Sequence, residues 1–169
     1  VIVRQTDGLR RIVDEFSRFA RMPEPERRHE ELGDLLRGAV LLQETGLPGV
    51  RFQTQLTKAP LAAEVDAGMI GQAFTNLIKN AGEAIESLRE KGAPDGHVPE
   101  IRIQAEVTGD RAEIRIMDNG IGLPEDRARL FEPYVTTRSE GTGLGLPIVK
   151  KIIEEHGGTL LLDDAPPFG

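Results

Sequence analysis

Two alternating runs flank one two-residue turn, and they limit what this chain can fold into more than any other feature. Ile101, Ile103, Ala105 and Val107 precede Gly109-Asp110, and Ala112, Ile114 and Ile116 follow it. A period of two puts each set on one face of a strand. Gly-Asp between such runs predicts a tight antiparallel hairpin. A hairpin apolar on one face needs a covering layer, and the sequence offers helices for it. Asp66 is a natural N-cap for a helix through about Arg89, with Ile70, Phe74, Leu77, Ile78, Ala81 and Ile85 on one face. A second helix is expected from Leu144 to His156, closed by Gly157-Gly158. A third carries Leu35, Leu36, Ala39, Val40 and Leu42 to Gly46, with Asp34 as its expected N-cap. Val50–Leu56 and Leu61–Val65 read as further strands, and Thr159–Leu162 as the start of a last one. Pro124 opens a short helix to about Leu130, and residues 132–142 read as a mobile loop. The expected fold is an α/β two-layer sandwich, with helices on one face of a mixed, mostly antiparallel sheet.

The first 22 residues are of a different kind. Leu9, Ile12, Phe16 and Phe19 recur at alternating spacings of three and four, widened by Val13 and Ala20. This is the seam of a helix that needs a partner outside itself. Met22-Pro23-Glu24-Pro25 then stops it. We therefore expect a single helix and hinge over residues 1–25 and one domain over 26–169. Hydrophobic residues make up 38% of the 169, enough for a core. Aromatic residues make up 4% with no Trp, so that core is built from Leu, Ile, Val and Ala. The formal charge of −7 argues against a nucleic-acid surface. The absence of cysteine removes disulfides and thiolate metal sites. No apolar stretch is long enough to span a membrane. The first residue is Val1, so the chain reads as a piece of a longer protein.

Four segments carry candidate chemistry. Asn76 and Asn80 lie four apart on the long helix, so both amides share a face. An amide oxygen suits Mg²⁺ without adding charge beside phosphates, though two solvated asparagines would look the same. Asp118-Asn119-Gly120-Ile121-Gly122 follows a strand. Its carboxylate could accept the exocyclic amine of adenine while Gly120 and Gly122 let backbone pass close to a flat base. An Asx-capped turn is the other reading. Phe131-Glu132-Pro133-Tyr134 and the polar run after it read as a flap or as a plain surface loop. Gly141-Thr142-Gly143-Leu144-Gly145-Leu146 opens a helix. Glycines there expose unpaired amides to an anion, unless they serve only as a hinge. The spacing is neither a dinucleotide fingerprint nor a P-loop.

In this order the four segments resemble the nucleotide-binding boxes of the histidine kinase/gyrase/MutL ATP-binding fold, over roughly residues 29–164. Gln72–Ala84 is similar to the asparagine box, Asp118–Gly122 to the first glycine box, Phe131–Tyr134 to the aromatic box and Gly141–Leu146 to the second glycine box. The resemblance implies that Asn80 binds Mg²⁺ and Asn76 sits beside the phosphates of ATP. It implies that Asp118 binds the adenine amine, with Gly120 and Gly122 lining the base. Thr136, Thr137, Arg138 and the residues to Thr142 would form the ATP lid. Gly141, Thr142, Gly143, Leu144, Gly145 and Leu146 would hold the phosphates. Residues 1–25, with Glu15–Pro23 as the closest stretch, resemble the second stalk helix of kinases of the NtrY type, which implies nitrogen regulation.

In ATPases of this superfamily a glutamate usually stands at the position of Asn76 and acts as general base. Asn76 cannot take a proton, so transfer to an acceptor is favoured over hydrolysis. The family pattern places that acceptor, a histidine, on a stalk helix upstream. His29, His97 and His156 each read as structural or solvated. The resemblance thus implies a protein-histidine kinase domain using ATP and Mg²⁺, which does not phosphorylate itself. Its partners would be a histidine-bearing stalk, a response-regulator receiver domain and a second copy in the full-length protein. The domain would be cytoplasmic, and its parent anchored in the bacterial inner membrane. Two other classes stay open: a non-catalytic ATP-sensing module, and an ATP-hydrolysing domain like MutL.

Overall fold

The computed structural model describes residues 8–11, 13, 14, 17, 20–132 and 145–168. Their elements in chain order are β1 (Arg28–Glu31), α1 (Leu32–Gly46), β2 (Arg51–Leu56), β3 (Ala62–Val65), α2 (Ala67–Lys91), β4 (Glu100–Thr108), β5 (Arg111–Asp118), a 3-10 helix (Arg127–Phe131) and α3 (Gly145–Glu155).

The hairpin forms as its alternation demands. β4 and β5 pair antiparallel from Ile101↔Asp118 to Thr108↔Arg111. Gly109 turns the chain at φ 64°, a left-handed angle that suits glycine. β2 adds to the other side of β4 in parallel, from Arg51↔Glu100 to Leu56↔Ala105, giving the order β2-β4-β5. A parallel neighbour requires a crossover, which here contains β3 and α2. β1 and β3 form a separate antiparallel pair. Among the described pairings two are therefore antiparallel and one is parallel, and the two-layer α/β expectation holds.

The inner face carries Ile101, Ile103 and Ala105, all buried. Against it lie Ile78, Ala81 and Ile85 of α2, flanked by Leu36 and Val40 of α1 and by Ile148, Val149 and Ile152 of α3. Each large aliphatic side chain buried this way contributes about 1.5–3 kcal/mol. Asp66 caps α2 as expected, its Oδ1 accepting from the Met69 amide at 3.1 Å. Gly92 ends it in the left-handed region.

Several local expectations need correction. α1 is capped by Glu31, not Asp34: Glu31 Oε1 accepts from the Gly33 amide at 3.3 Å and from the Leu61 amide at 2.9 Å. The second bond, from residues far along the chain, fixes the start of the helix one turn earlier. β1 was not expected, because Arg-His-Glu-Glu has no apolar alternation; pairing with β3 makes it a strand. The helix expected from Pro124 begins at Arg127 and is 3-10, with no side-chain cap bond from Asp126. Thr159–Leu162 forms no ladder. Leu161 is exposed, Asp163 and Asp164 pair with Arg127, and Pro166 and Pro167 cannot donate. The loop at 132–142 lies outside the described residues except for Glu132. So do Ile12, Phe16 and Phe19 of the N-terminal stripe; its Leu9 and Val13 are exposed. No helix among the described residues is long and apolar enough to cross a membrane.

Candidate functional site

α2 is buried along Ala73, Phe74, Ile78 and Ala81, and this sets Asn76 and Asn80 at the half-buried margin of its core face. α3 packs beside α2 and begins next to Asn80. A Cβ built on Gly145 would lie 3.8 Å from Asn80 Oδ1. The first turn of α3, with its unpaired amides, therefore opens beside an amide oxygen. Pro147 is buried in that turn, where a missing amide costs no helical bond. Gly145 and Leu146 are half-buried here. Gly141, Thr142, Gly143 and Leu144 lie outside the described residues, as do Thr136, Thr137 and Arg138.

β5 delivers Asp118 to the same stretch of α2. Its carboxylate is half-buried, and Oδ1 accepts from the Gly120 amide at 2.9 Å. Loss of water raises its pKa above the usual 3.8, and the Gly120 hydrogen bond opposes that rise only in part. Gly120 itself is pressed on the helix. A Cβ there would stand 2.4 Å from the carbonyl carbon of Ala84 and 2.5 Å from the Ile85 nitrogen. The Ile121 amide donates to the Ala84 carbonyl at 3.0 Å. Close packing on α2 thus explains the glycine without reference to a base. Gly122 is different: its φ is 84° and open space surrounds it. The Asx reading is met by Asp118, through the Gly120 amide two residues on, and Asn119 instead ties the loop to distant backbone. Its Oδ1 accepts from the Glu100 amide at 2.9 Å and its Nδ2 donates to the Val98 carbonyl at 2.8 Å.

Asn80 and Ala84 are one turn apart, about 6 Å along the axis. The Asp118 loop and the start of α3 thus flank one short stretch of α2. Two contributors had no clear sequence signal. The Ala84 carbonyl anchors the loop through a backbone bond that side-chain identity does not reveal. Lys150 of α3 places its ammonium 5.0 Å from the centre of the Phe131 ring, a contact between α3 and the 3-10 helix. Among the described residues no group of three His, Asp or Glu could hold a metal. A cation here would rest on Asn80 and on the ligand's own oxygens. That donor set fits Mg²⁺ bound with phosphates, and Asn80 Oδ1 beside the opening of α3 matches it.

The three histidines are engaged elsewhere. His29 on β1 pairs with Glu64 at 3.2 Å, both well exposed. His97 Nε2 meets the Asn119 carbonyl at 2.9 Å. His156 bridges Ile152 and Asp66.

A family model described as histidine kinase-, DNA gyrase B-, and HSP90-like ATPase matches residues 65–169, from the last residue of β3 onward. The chain belongs to this family. Within it the chain is a sensor histidine kinase catalytic domain. It is 48% identical over 166 residues to the nitrogen regulation protein NtrY of Azorhizobium caulinodans, covering 98% of this chain and 21% of that protein. The chain thus spans about a fifth of that relative's length. The solved catalytic domain of histidine kinase ThkA is 30% identical, with a TM-score of 0.64 over 78% of this chain and 82% of that one. ThkA in complex with the response regulator protein TrrA is 26% identical, with a TM-score of 0.71 over 93% of this chain and 43% of that one. The matched stretch begins with the residue before Asp66 and contains α2, the Asp118 loop and α3.

Proposed function

We propose that this domain binds ATP with Mg²⁺ and passes the γ-phosphate to a histidine on a stalk helix, for onward transfer to a response-regulator aspartate. The observation that carries the reading is the juxtaposition of Asn80 with the opening of α3, one turn of α2 from the Asp118 loop. In this reading Asp118 accepts a hydrogen bond from the adenine amine, with Gly120 and Gly122 beside the base. The amides of Gly145 and Leu146, with Gly141, Thr142, Gly143 and Leu144 before them, face the phosphates. Thr136, Thr137 and Arg138 belong to a lid over them. Asn80 Oδ1 offers a hard oxygen to the cation. Bound Mg²⁺ neutralises charge on the phosphate oxygens.

Asn76 lies beside the phosphates and has no basic atom to activate water, so the site holds a phosphoryl donor without hydrolysing it. Phosphoryl transfer requires positioning and charge stabilisation more than covalent help. Residues 1–25 belong to the stalk, and the domain occupies 26–169. The parent kinase is a homodimer anchored in the bacterial inner membrane, with this domain in the cytoplasm and nitrogen supply as its regulatory context.

Labelled ATP tests this directly. The chain alone should stay unlabelled, whereas a separately supplied stalk bearing the histidine should gain label. Strong self-labelling would contradict the assignment of the acceptor. Steady phosphate release from the chain alone would favour hydrolysis over transfer.

A further inference from the structure

His156 stands at the far end of the two helices that frame the site. Its Nδ1 lies 2.7 Å from the Ile152 carbonyl, the last turn of α3, so that nitrogen carries the proton. Nε2 is then an acceptor, and it takes the Asp66 amide at 3.1 Å. One imidazole therefore ties the C-terminal turn of α3 to the N-cap of α2. The chain just past the hinge is fastened to the same point. The Glu26 amide donates to Asp66 Oδ2 at 3.0 Å, and the Arg27 guanidinium donates to the Glu155 carbonyl. No ligand-facing role is open to His156, because both ring nitrogens are occupied.

The geometry makes this joint matter at the other end. α2 and α3 run side by side in opposite directions, since Asp66 meets His156 and Asn80 meets Gly145. Asn80 lies fourteen residues from Asp66, about 21 Å along the axis, and Gly145 lies eleven from His156, about 16 Å. Between the two ends Ile78, Val149 and Ile152 pack in one core cluster, a contact that fixes separation and is itself non-directional. A directional bond at one end therefore governs the offset at the other.

We propose that His156 is a positioning residue: by joining α3 to the capped start of α2, where Glu26 and Arg27 also dock, it sets the spacing of Asn80 and Gly145 and so the affinity for the triphosphate. This rests on the nucleotide reading above, and it adds a route by which hinge position reaches the phosphate end of the site. The base end is independent of the joint, because the Asp118 loop is anchored on Ala84 by its own bonds.

The test uses the full chain, with calorimetric titration of a magnesium-bound non-hydrolysable ATP analogue and of AMP, each variant first checked by thermal melting. His156→Ala should weaken the triphosphate analogue about tenfold, a common size for such coupling, and leave AMP unchanged. His156→Gln, whose single amide can both donate and accept, should restore most of the ratio. Arg27→Ala, which leaves His156 in place, should shift the ratio in the same direction by a smaller factor. Equal losses for both nucleotides, or an unchanged ratio in folded His156→Ala, would overturn the proposal. Should His156→Ala fail to fold, an unchanged ratio in Arg27→Ala would overturn it instead. If the unsubstituted chain bound neither nucleotide, the functional reading would fall first and this one with it.

Discussion

The two ends of the α2–α3 pair share the same packing and differ in how their polar groups are used. At the Asp66 end every strong group is taken. Both carboxylate oxygens accept backbone amides, and both imidazole nitrogens of His156 have partners. At the Asn80 end no side-chain hydrogen bond joins Asn76 or Asn80 to another described residue, though both are half-buried. Buried polar groups normally find partners. The closed end serves the fold, and the other end is the one to which the proposed function assigns the ligand. The two carboxylates show the same contrast. Backbone donors, Met69 first and Glu26 next, lower the Asp66 pKa, while loss of water raises that of Asp118.

The strongest way to break this contrast is at the Asn80 end. Gly120→Ala drives a methyl into the backbone of α2. It should cost about 1–3 kcal/mol in chemical denaturation and abolish nucleotide binding. Asp118→Asn should weaken an ATP analogue roughly 10- to 100-fold, the usual weight of a hydrogen bond to a charged group. The melting temperature of the free domain should stay the same or rise, because a neutral amide avoids the desolvation that burdens the carboxylate. Unchanged affinity by calorimetry would remove Asp118 from the site. At the closed end, Asp66→Ala should cost about 1 kcal/mol or somewhat more and leave affinity for AMP intact. Asp66→Asn should retain most of the cap.

A pH series sharpens the comparison further. The folded chain binds a proton at Asp118 more tightly than the unfolded chain does. As pH falls through its raised value, above 3.8, this group adds stability while the adenine acceptor is lost. Asp66 behaves in the opposite sense. Its stabilisation is full above 3.8 and is lost only as pH falls through its lowered value. Nucleotide affinity should therefore decline before the fold does, read by calorimetry and circular dichroism in parallel. The smallest effect is expected at His29, whose pair with Glu64 is exposed. His29→Ala should shift stability by less than about 0.5 kcal/mol.

The parts legible in the sequence are those decided locally. Gly109 between alternating runs gave the hairpin, and Asp66 ahead of a 3.6-residue stripe gave the cap and α2. Asn76 and Asn80 on one face followed from helical geometry alone. The parts that were not legible are decided by distant chain. Glu31 displaced Asp34 as the cap because it also receives the Leu61 amide. Arg28–Glu31 became a strand only through Ala62–Val65. Gly120 is required by its contact with the backbone of Ala84, which no local pattern reveals. The His156 bridge joins residues 90 apart in sequence, and no spacing rule reaches that far. Thr159–Leu162 had strand-like composition, but the acids that follow it pair with Arg127 and the prolines beyond them cannot donate to a ladder.

The most direct measurement is a titration of the ¹⁵N-labelled chain with a magnesium-bound ATP analogue, followed by amide and side-chain NMR signals. Asn80, Asp118 and Gly145 should shift together with one dissociation constant, while His29 on β1 stays still. Shifts confined to one of the three, or three different constants, would contradict the claim that a single ligand spans them.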